Sequence, residues 1–487
     1  MLLAPRIPIP RWSQLPISTL SRRLHAKLKF SSSSQTKLPV VCENALQPLE
    51  DDCNEFLPWL ERKAGVEISS SLSIGKSAYG RSLIASRSIQ TGECILKVPF
   101  NVQISPENLP PEVRNLLGNE VGNLAKLAVL ILHEQKMGQD SEWSPYICCL
   151  PQPGELHSTI FWSENELNMI RQSSVYQETI SQKCQIKKKF LESKLALERF
   201  PDIFASINFE RFMHAYAIVG SRAWGSIKGL SLIPFADFLN HDGLSESVVL
   251  SDEHKQLSEV IADRDYAPGE EVLIRYGKFP NSTLLLDFGF TLPHNIHDQV
   301  QIQISLPPDD PLREMKLDLM QKHCMPAGKP VNGFNSLEDS FTIKEVKSAL
   351  GKGKGLPQSL RAFSRVLCCS STQELHALAK EAAQCDGRLA RRPFETRGRE
   401  ILAHQLLLSQ ITHFIEEHES SIELLGPADS SSRGGNFVRR SQMARDLLTG
   451  ELRVLKSAYR WLKNYIGILI TADCPNNDVS NYGIIPM

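Results

Sequence analysis

The feature that most constrains this chain is a change of hydrophobic period near Pro293. Beyond it, Leu448, Leu452, Leu455, Tyr459, Leu462 and Ile466 are spaced 4, 3, 4, 3 and 4. That spacing puts them on one stripe of a helix packed into a bundle. Residues 401–419 carry a similar face through Leu407, Ile411, Phe414 and Ile415, and the Ser/Gly-rich stretch 429–436 reads as a loop between the two. Before Pro293 the signals alternate. Folding is expected to begin near Asp51, with a short amphipathic helix at 55–64 that contains Trp59 and Leu60. Short strand-like runs between 73 and 104 are broken at Gly75, Gly80, Gly92 and Pro99. Helical spacing follows at 123–136 and 164–199, and strand character returns at 230–235, 248–250, 257–263 and 271–276. The expectation is an α+β chain with a β-rich module at 51–292, a helical insert at about 115–220, an all-α module at 293–470 and a tail at 471–487.

With 487 residues the chain is too long for one ordinary core. Its longest apolar runs, 127–132 and 465–472, fall far short of the ~18 residues that cross a bilayer, so the reading is a soluble protein with no membrane partner. Residues 1–42 hold Arg6, Arg11, Arg22, Arg23, Lys27, Lys29 and Lys37, the serine run 31–34 and no acid. This is the composition of an organelle transit peptide, with a disordered basic tail as the alternative. The remaining residues carry 47 basic against 55 acidic groups, and an acidic body has no electrostatic reason to hold nucleic acid. Eleven cysteines occur without a CxxC, so neither a zinc cluster nor a disulfide framework is signalled. They read as reduced, mostly buried thiols.

Three segments can carry chemistry. The first is Tyr79-Gly80-Arg81-Ser82-Leu83, where a glycine allows close approach of the backbone to a ligand; alone it reads as a β-turn. The second is Ser221-Arg222-Ala223-Trp224, followed by the apolar run through Asp237 to Asn240-His241. Burying an Asn-His pair requires defined partners, and alone the pair reads equally as a structural corner. The third is Gly269-Glu270-Glu271-Val272-Leu273-Ile274-Arg275-Tyr276-Gly277, with Asp287, Phe288 and Gly289 downstream. It sets a phenol where a strand turns, ordinarily a core position with a wet hydroxyl.

In order and spacing the three together resemble the SET-domain lysine methyltransferases, in the branch typified by the Rubisco large-subunit methyltransferase. Glu142-Trp143-Ser144-Pro145-Tyr146 with Leu150-Pro151, and Leu447-Leu448-Thr449-Gly450-Glu451, resemble that branch too. The resemblance, over about 55–470, implies a SET fold split by a helical insert and followed by a helical substrate-binding domain. It implies S-adenosyl-L-methionine as cofactor and no metal. Gly80, Arg81 and Ser82 would contact the cofactor largely through backbone, Arg222 would pair with its carboxylate, and Asn240 and His241 would hold its amino and adenine ends. Tyr276 would stand where the target lysine meets the methyl group, with Asp237, Ser226 and Phe288 on the substrate side. The implied partner is a non-histone protein of an organelle, such as the Rubisco large subunit or an aldolase, met by a monomeric enzyme in the plastid or, alternatively, the mitochondrion.

The chemistry suits these residue types. In-line displacement on a sulfonium is governed by positioning and electrostatics. The lysine must arrive neutral, and at pH 7.5 only about one amine in ~800 is free, a penalty of roughly 4 kcal/mol. A desolvating channel beside a cation lowers that pKa. Four positions depart from the family pattern: Ser82 replaces a second glycine, Asp242 follows the Asn-His pair, Phe288 replaces a frequent tyrosine, and Ser226 replaces a basic residue. Phe288 and Ser226 motivate one alternative, a SET-shaped scaffold with weak catalysis; the resemblance implies another, a methyltransferase acting on histidine or an amino terminus, since that branch is not confined to lysine.

Overall fold

The structure is a computed structural model that describes residues 55–77, 80–204, 206–226, 229–323, 340–384, 393–394, 396–426 and 435–471. The basic segment 1–42, the start near Asp51, Tyr79, residues 429–434 and tail residues 472–487 lie outside the described residues. The chain forms two compact units. The first comprises residues through Ser158, Ser181–Phe279 and Asp287–Gly289; the second comprises Thr159–Ile180, Pro280–Leu286 and the chain from Phe290 onward. Three stretches expected within 51–292, namely 159–180, 280–286 and 290–292, therefore fold with the second unit.

The first unit is built from short strands. β1 (Leu72–Ser77) and β2 (Gly80–Ala85) form an antiparallel hairpin. β3 (Cys94–Pro99) enters a three-stranded sheet with two later strands. β4 (Trp224–Ser226) and β5 (Gly229–Ser231) make a second hairpin, and β6 (Asn240–His241) follows. β7 (Val249–Asp252) and β8 (Leu257–Ile261) complete the sheet in the order β3-β8-β7, and β9 (Leu273–Ile274) pairs parallel with β6. The expected strand at 230–235 stops at Ser231, because Phe235 takes a left-handed φ of 74° and turns the chain into the 3-10 turn Ala236–Phe238.

Hydrogen bonds join the three motif segments in sequence. Ala85 N donates to Glu270 O (2.9 Å) and Val272 N donates to Leu83 O (2.9 Å), which ties β2 to the strand of the third motif. That strand continues into β9, whose register sets Leu273 beside Asn240 and Ile274 beside His241. The insert supplies the support. Helix Asn123–Met137 is apolar nearly all round, with residues 127–132 buried, as a helix in a domain interior must be. It packs on helix Phe209–Arg222, which is capped by the Asn208 side chain accepting from Arg211 N (2.9 Å) and ends on Arg222. The expected single helix at 164–199 is two, Glu164–Asn168 and Ser174–Glu198, the second capped by the Ser173 hydroxyl. Among the described cysteines, Cys149, Cys368 and Cys369 are buried, whereas Cys148 and Cys184 are exposed.

The second unit is helical and additionally holds one antiparallel pair, β10 (Gln299–Gln303) with β11 (Ser340–Lys344), within the region expected to be all-α. Its core joins helices Gln358–Cys368, Arg397–Leu424 and Gly435–Thr471. Phe363, Leu407, Ile411, Leu455, Trp461 and Leu462 are each 2% exposed or less. Gly450 is required by a close approach: a Cβ there would stand 2.2 Å from Asp298 Oδ2. Asp298 has no room to yield, since it accepts from Asn281 N (3.0 Å) and Arg453 (3.1 Å), and burial raises its carboxyl to about 6. Gly450→Ala is expected to cost about 1–3 kcal/mol, read from urea unfolding; a loss of stability below ~0.5 kcal/mol would contradict the clash.

His418 adds a pH-dependent contribution. Its Nδ1 faces Phe414 O (2.8 Å) and its Nε2 faces Glu451 Oε2 (3.1 Å), an arrangement that a doubly protonated ring satisfies at both nitrogens. Burial alone would lower its pKa, but the Glu451 hydrogen bond and charge outweigh it and raise the value above the ordinary one. A raised folded pKa stabilises fully below ~6.5, and that stabilisation fades as pH rises through the folded value. His418→Gln is therefore expected to lose about 1.5–3 kcal/mol at pH 6, with the gap from wild type narrowing at higher pH. A gap that widens with pH would refute the assignment.

Candidate active site

Local folding brings the predicted residues into one unit. Gly80 opens β2 at a φ of 101°, with nothing within 4 Å of where a Cβ would stand. Arg81 directs its guanidinium over the Phe238 ring, 5.2 Å from the centroid, and bonds the Cys149 carbonyl through Nη1. Ser82 is fully buried opposite Gly75, and its hydroxyl has no hydrogen-bond partner among the described residues. Asn240 reaches back to β1 and β2: its Nδ2 donates to Glu271 Oε1 (2.9 Å), Arg81 O (3.2 Å) and Ser77 Oγ (3.3 Å). His241 Nδ1 accepts from Tyr276 N (3.1 Å), which leaves the ring proton on Nε2.

Tyr276 follows β9 and stacks on His241 with ring centroids 5.1 Å apart. Trp224 meets it edge-on at 6.4 Å and Phe288 lies 5.3 Å away. Its hydroxyl donates to Leu239 O (2.7 Å), and burial pushes the phenol well above its ordinary pKa, so it stays protonated. A small cleft is lined by Ser221, Arg222, Ala223, Trp224, Tyr276 and Phe288. Arg222 Nη1 donates to Asp237 O (2.8 Å) and Oδ2 (3.2 Å), and Tyr146 donates to the same Oδ2 (2.9 Å). Burial pushes the Asp237 carboxyl up, while the Arg222 charge and the bonds from Tyr146 and Arg222 pull it back.

The structure thus gathers Gly80, Arg81, Ser82, Arg222, Asp237, Asn240, His241, Tyr276 and Phe288. Ser226 is placed only by its backbone, opposite Gly229 in β4, and its side chain lies outside the described residues. Asp242, one of the departures, caps a turn through its Oδ1, which accepts from Leu244 N (2.9 Å). Three residues were not read as site residues from sequence: Tyr146, Glu271 and Phe235. The left-handed turn at Phe235 presents Asp237, a strained backbone of the kind that concentrates at functional sites. Among the described residues no group of three or more His, Cys, Asp or Glu side chains is placed to hold a metal ion.

Residues 80–277 match the SET domain family, a span that runs from Gly80 of the first motif to Gly277 of the third. The chain carries a SET domain over that span. Residues 307–455 match the Rubisco LSMT substrate-binding family, so a SET domain is followed by a Rubisco LSMT-type substrate-binding domain. The chloroplastic fructose-bisphosphate aldolase-lysine N-methyltransferase of Arabidopsis thaliana is 28% identical over 334 residues, covering 66% of this chain and 66% of that one. The chloroplastic Rubisco large subunit N-methyltransferase of Nicotiana tabacum is 25% identical, covering 92% of this chain and 90% of its own. The actin-histidine N-methyltransferase of Homo sapiens is 24% identical over 84% of this chain and 68% of its own. The crystal structure of the SET domain of LSMT bound to lysine and AdoHcy superposes with a TM-score of 0.65 at 20% identity, covering 86% of this chain and 92% of that one. Rubisco LSMT bound to AdoMet gives 0.64 at 21% identity, covering 87% and 94%.

Proposed function

We infer that this protein is an S-adenosyl-L-methionine-dependent protein-lysine N-methyltransferase that modifies a non-histone protein of the plastid stroma. The observation that carries the reading is the convergence of Arg222, Asn240-His241 and Tyr276 through the parallel β6–β9 pair, although they lie far apart in sequence. The residues present suit the cofactor. Aromatic faces of Trp224, Tyr276 and Phe288 offer π-density to a sulfonium, and Arg222 offers a fork to a carboxylate. The open side of Gly80 leaves its backbone approachable. When bound, S-adenosyl-L-methionine supplies the methyl group.

The chain's own residues prepare the acceptor. The Arg222 charge is balanced by Asp237, so it is desolvation in the narrow cleft that favours the neutral form of an entering amine. Tyr276, kept protonated, orients the amine with its hydroxyl oxygen and is not a base. Phe288 in place of a tyrosine leaves fewer acceptors around the amine, which supports higher methylation states. The plastid assignment is supported by the chloroplastic relatives and by the composition of residues 1–42. A stromal extract incubated with labelled S-adenosyl-L-methionine and the protein tests the reading. Methyl-lysine in a stromal protein is expected, with labelling lost in Arg222→Ala; labelling that survives that substitution would count against the site. The actin-histidine relatives supply the observation for a second reading, a histidine acceptor, and mass spectrometry of the labelled residue separates the two.

A further inference from the structure

We propose that Tyr146 is a positioning residue of this cleft: with Arg222 it engages one oxygen of Asp237 and thereby reserves the other for an N–H of the acceptor amine. The proposal rests on the methyltransferase reading above and adds to it a residue that does not line the cleft.

Tyr146 is fully buried on the short helix Ser144–Cys149, and a buried phenol requires a hydrogen-bond partner. It finds one 91 residues away, in Asp237 Oδ2 at 2.9 Å. Its ring packs near Phe56 (6.4 Å), which in turn packs on Phe238 (5.2 Å), the neighbour of Asp237. The same short helix is tied to β2 where Arg81 bonds the Cys149 carbonyl. The other donor to Oδ2 is Arg222, whose Nη1 also holds the Asp237 backbone carbonyl. Two donors on one oxygen and a third bond on the backbone fix the carboxylate in position and in rotation. Oδ1 is left buried, with no hydrogen-bond partner among the described residues.

A buried carboxylate oxygen without a donor is costly, and a site whose substrate is an amine brings the donor that satisfies it. The charged and titratable groups that act on Asp237 are Arg222, Tyr146 and Arg81, and Asp237 in turn acts on Tyr276. Tyr146 therefore influences the amine only by way of Asp237. It lies on the short helix Ser144–Cys149, apart from the three segments read as carrying chemistry.

The test is the pH–rate profile of Tyr146→Phe, using initial methylation of stromal extract at subsaturating protein. The apparent kcat/KM is expected to fall about ten- to a hundredfold. The acid limb is expected to move to higher pH, because the carboxylate has lost a donor that favoured its ionised form. Affinity for S-adenosyl-L-methionine, by calorimetry, should stay within threefold. Because Tyr146 acts through Asp237, the double variant Tyr146→Phe/Asp237→Asn should be no slower than Asp237→Asn alone. Should Tyr146→Phe fold poorly, 3-fluorotyrosine at position 146 keeps the hydroxyl as a stronger donor and should move the acid limb to lower pH. An unshifted limb with wild-type kcat/KM, or additive effects in the double variant, overturns the proposal. A wild-type protein that transfers no methyl group overturns the functional reading and this proposal with it; an active wild type with an indifferent Tyr146→Phe overturns this proposal alone.

Discussion

Tyr276→Phe is expected to lower kcat for methyl transfer by about 10²–10³, the range seen when one preorganised polar group is removed from a reacting centre. The substitution keeps the ring, so the stack on His241 and the contacts with Trp224 and Phe288 persist. What disappears is the hydroxyl, which is anchored on Leu239 O and cannot drift from its place. Since burial keeps that phenol protonated, the loss should be nearly constant across neutral pH and should not appear as a lost titration. Stability should fall by only about 0.5–1.5 kcal/mol, the worth of one hydrogen bond. Stopped-flow or single-turnover transfer of a labelled methyl group measures the effect. A kcat within threefold of wild type would remove Tyr276 from the chemistry.

Arg365→Ala is expected to cost about 3–5 kcal/mol of stability, because it strands a buried charge. Arg365 and Glu400 are each 1% exposed and joined twice, Nε to Oε2 at 2.8 Å and Nη2 to Oε1 at 2.6 Å. The carboxylate also accepts from Phe394 N (3.1 Å) and Tyr465 (3.2 Å). Beside it, His404 is neutral: burial lowers it to about 4, its Nδ1 donates to Glu400 O (2.8 Å), and its Nε2 accepts from Arg361 (3.1 Å). Removing the guanidinium leaves the buried carboxylate with neutral donors and Arg361 Nη2 at 3.9 Å as the remaining cation among the described residues. Chemical unfolding monitored by helical circular dichroism gives the number. Replacing both partners with apolar residues of similar volume should be milder than the single change, since the Glu400 carboxylate is then gone as well. A single-variant loss under ~1 kcal/mol would show that the pair is dispensable.

Much of the site was legible because its residues are chemically unusual where they stand. A glycine before Arg81, an Asn-His pair ending an apolar run and a tyrosine closing a strand each break the local pattern. Tyr146 and Glu271 were not legible as site residues, since their roles depend on partners brought close only by the fold: Asp237 for the first and Asn240 for the second. The strands β6 and β9 have two residues each, too few for an alternation to register. β10 is a different case. Gln299-Val300-Gln301-Ile302-Gln303 alternates with period two, with Val300 and Ile302 buried, so the signal was present within a region whose helical character dominated the reading. The long helices were the easiest part, because four or more turns of one apolar face leave little ambiguity.

The parallel pairing of β6 with β9 also dictates when the site can exist during synthesis. A ribosome that has released the chain only as far as His241 has delivered the glycine hairpin, the arginine and the Asn-His pair, yet the strand that aligns them is still inside the exit tunnel. The nascent chain must therefore hold an unzipped edge until residue 276 emerges, a late, non-local closure of the kind that makes folding slow. Fragments truncated between 241 and 276 should consequently lack cofactor affinity altogether.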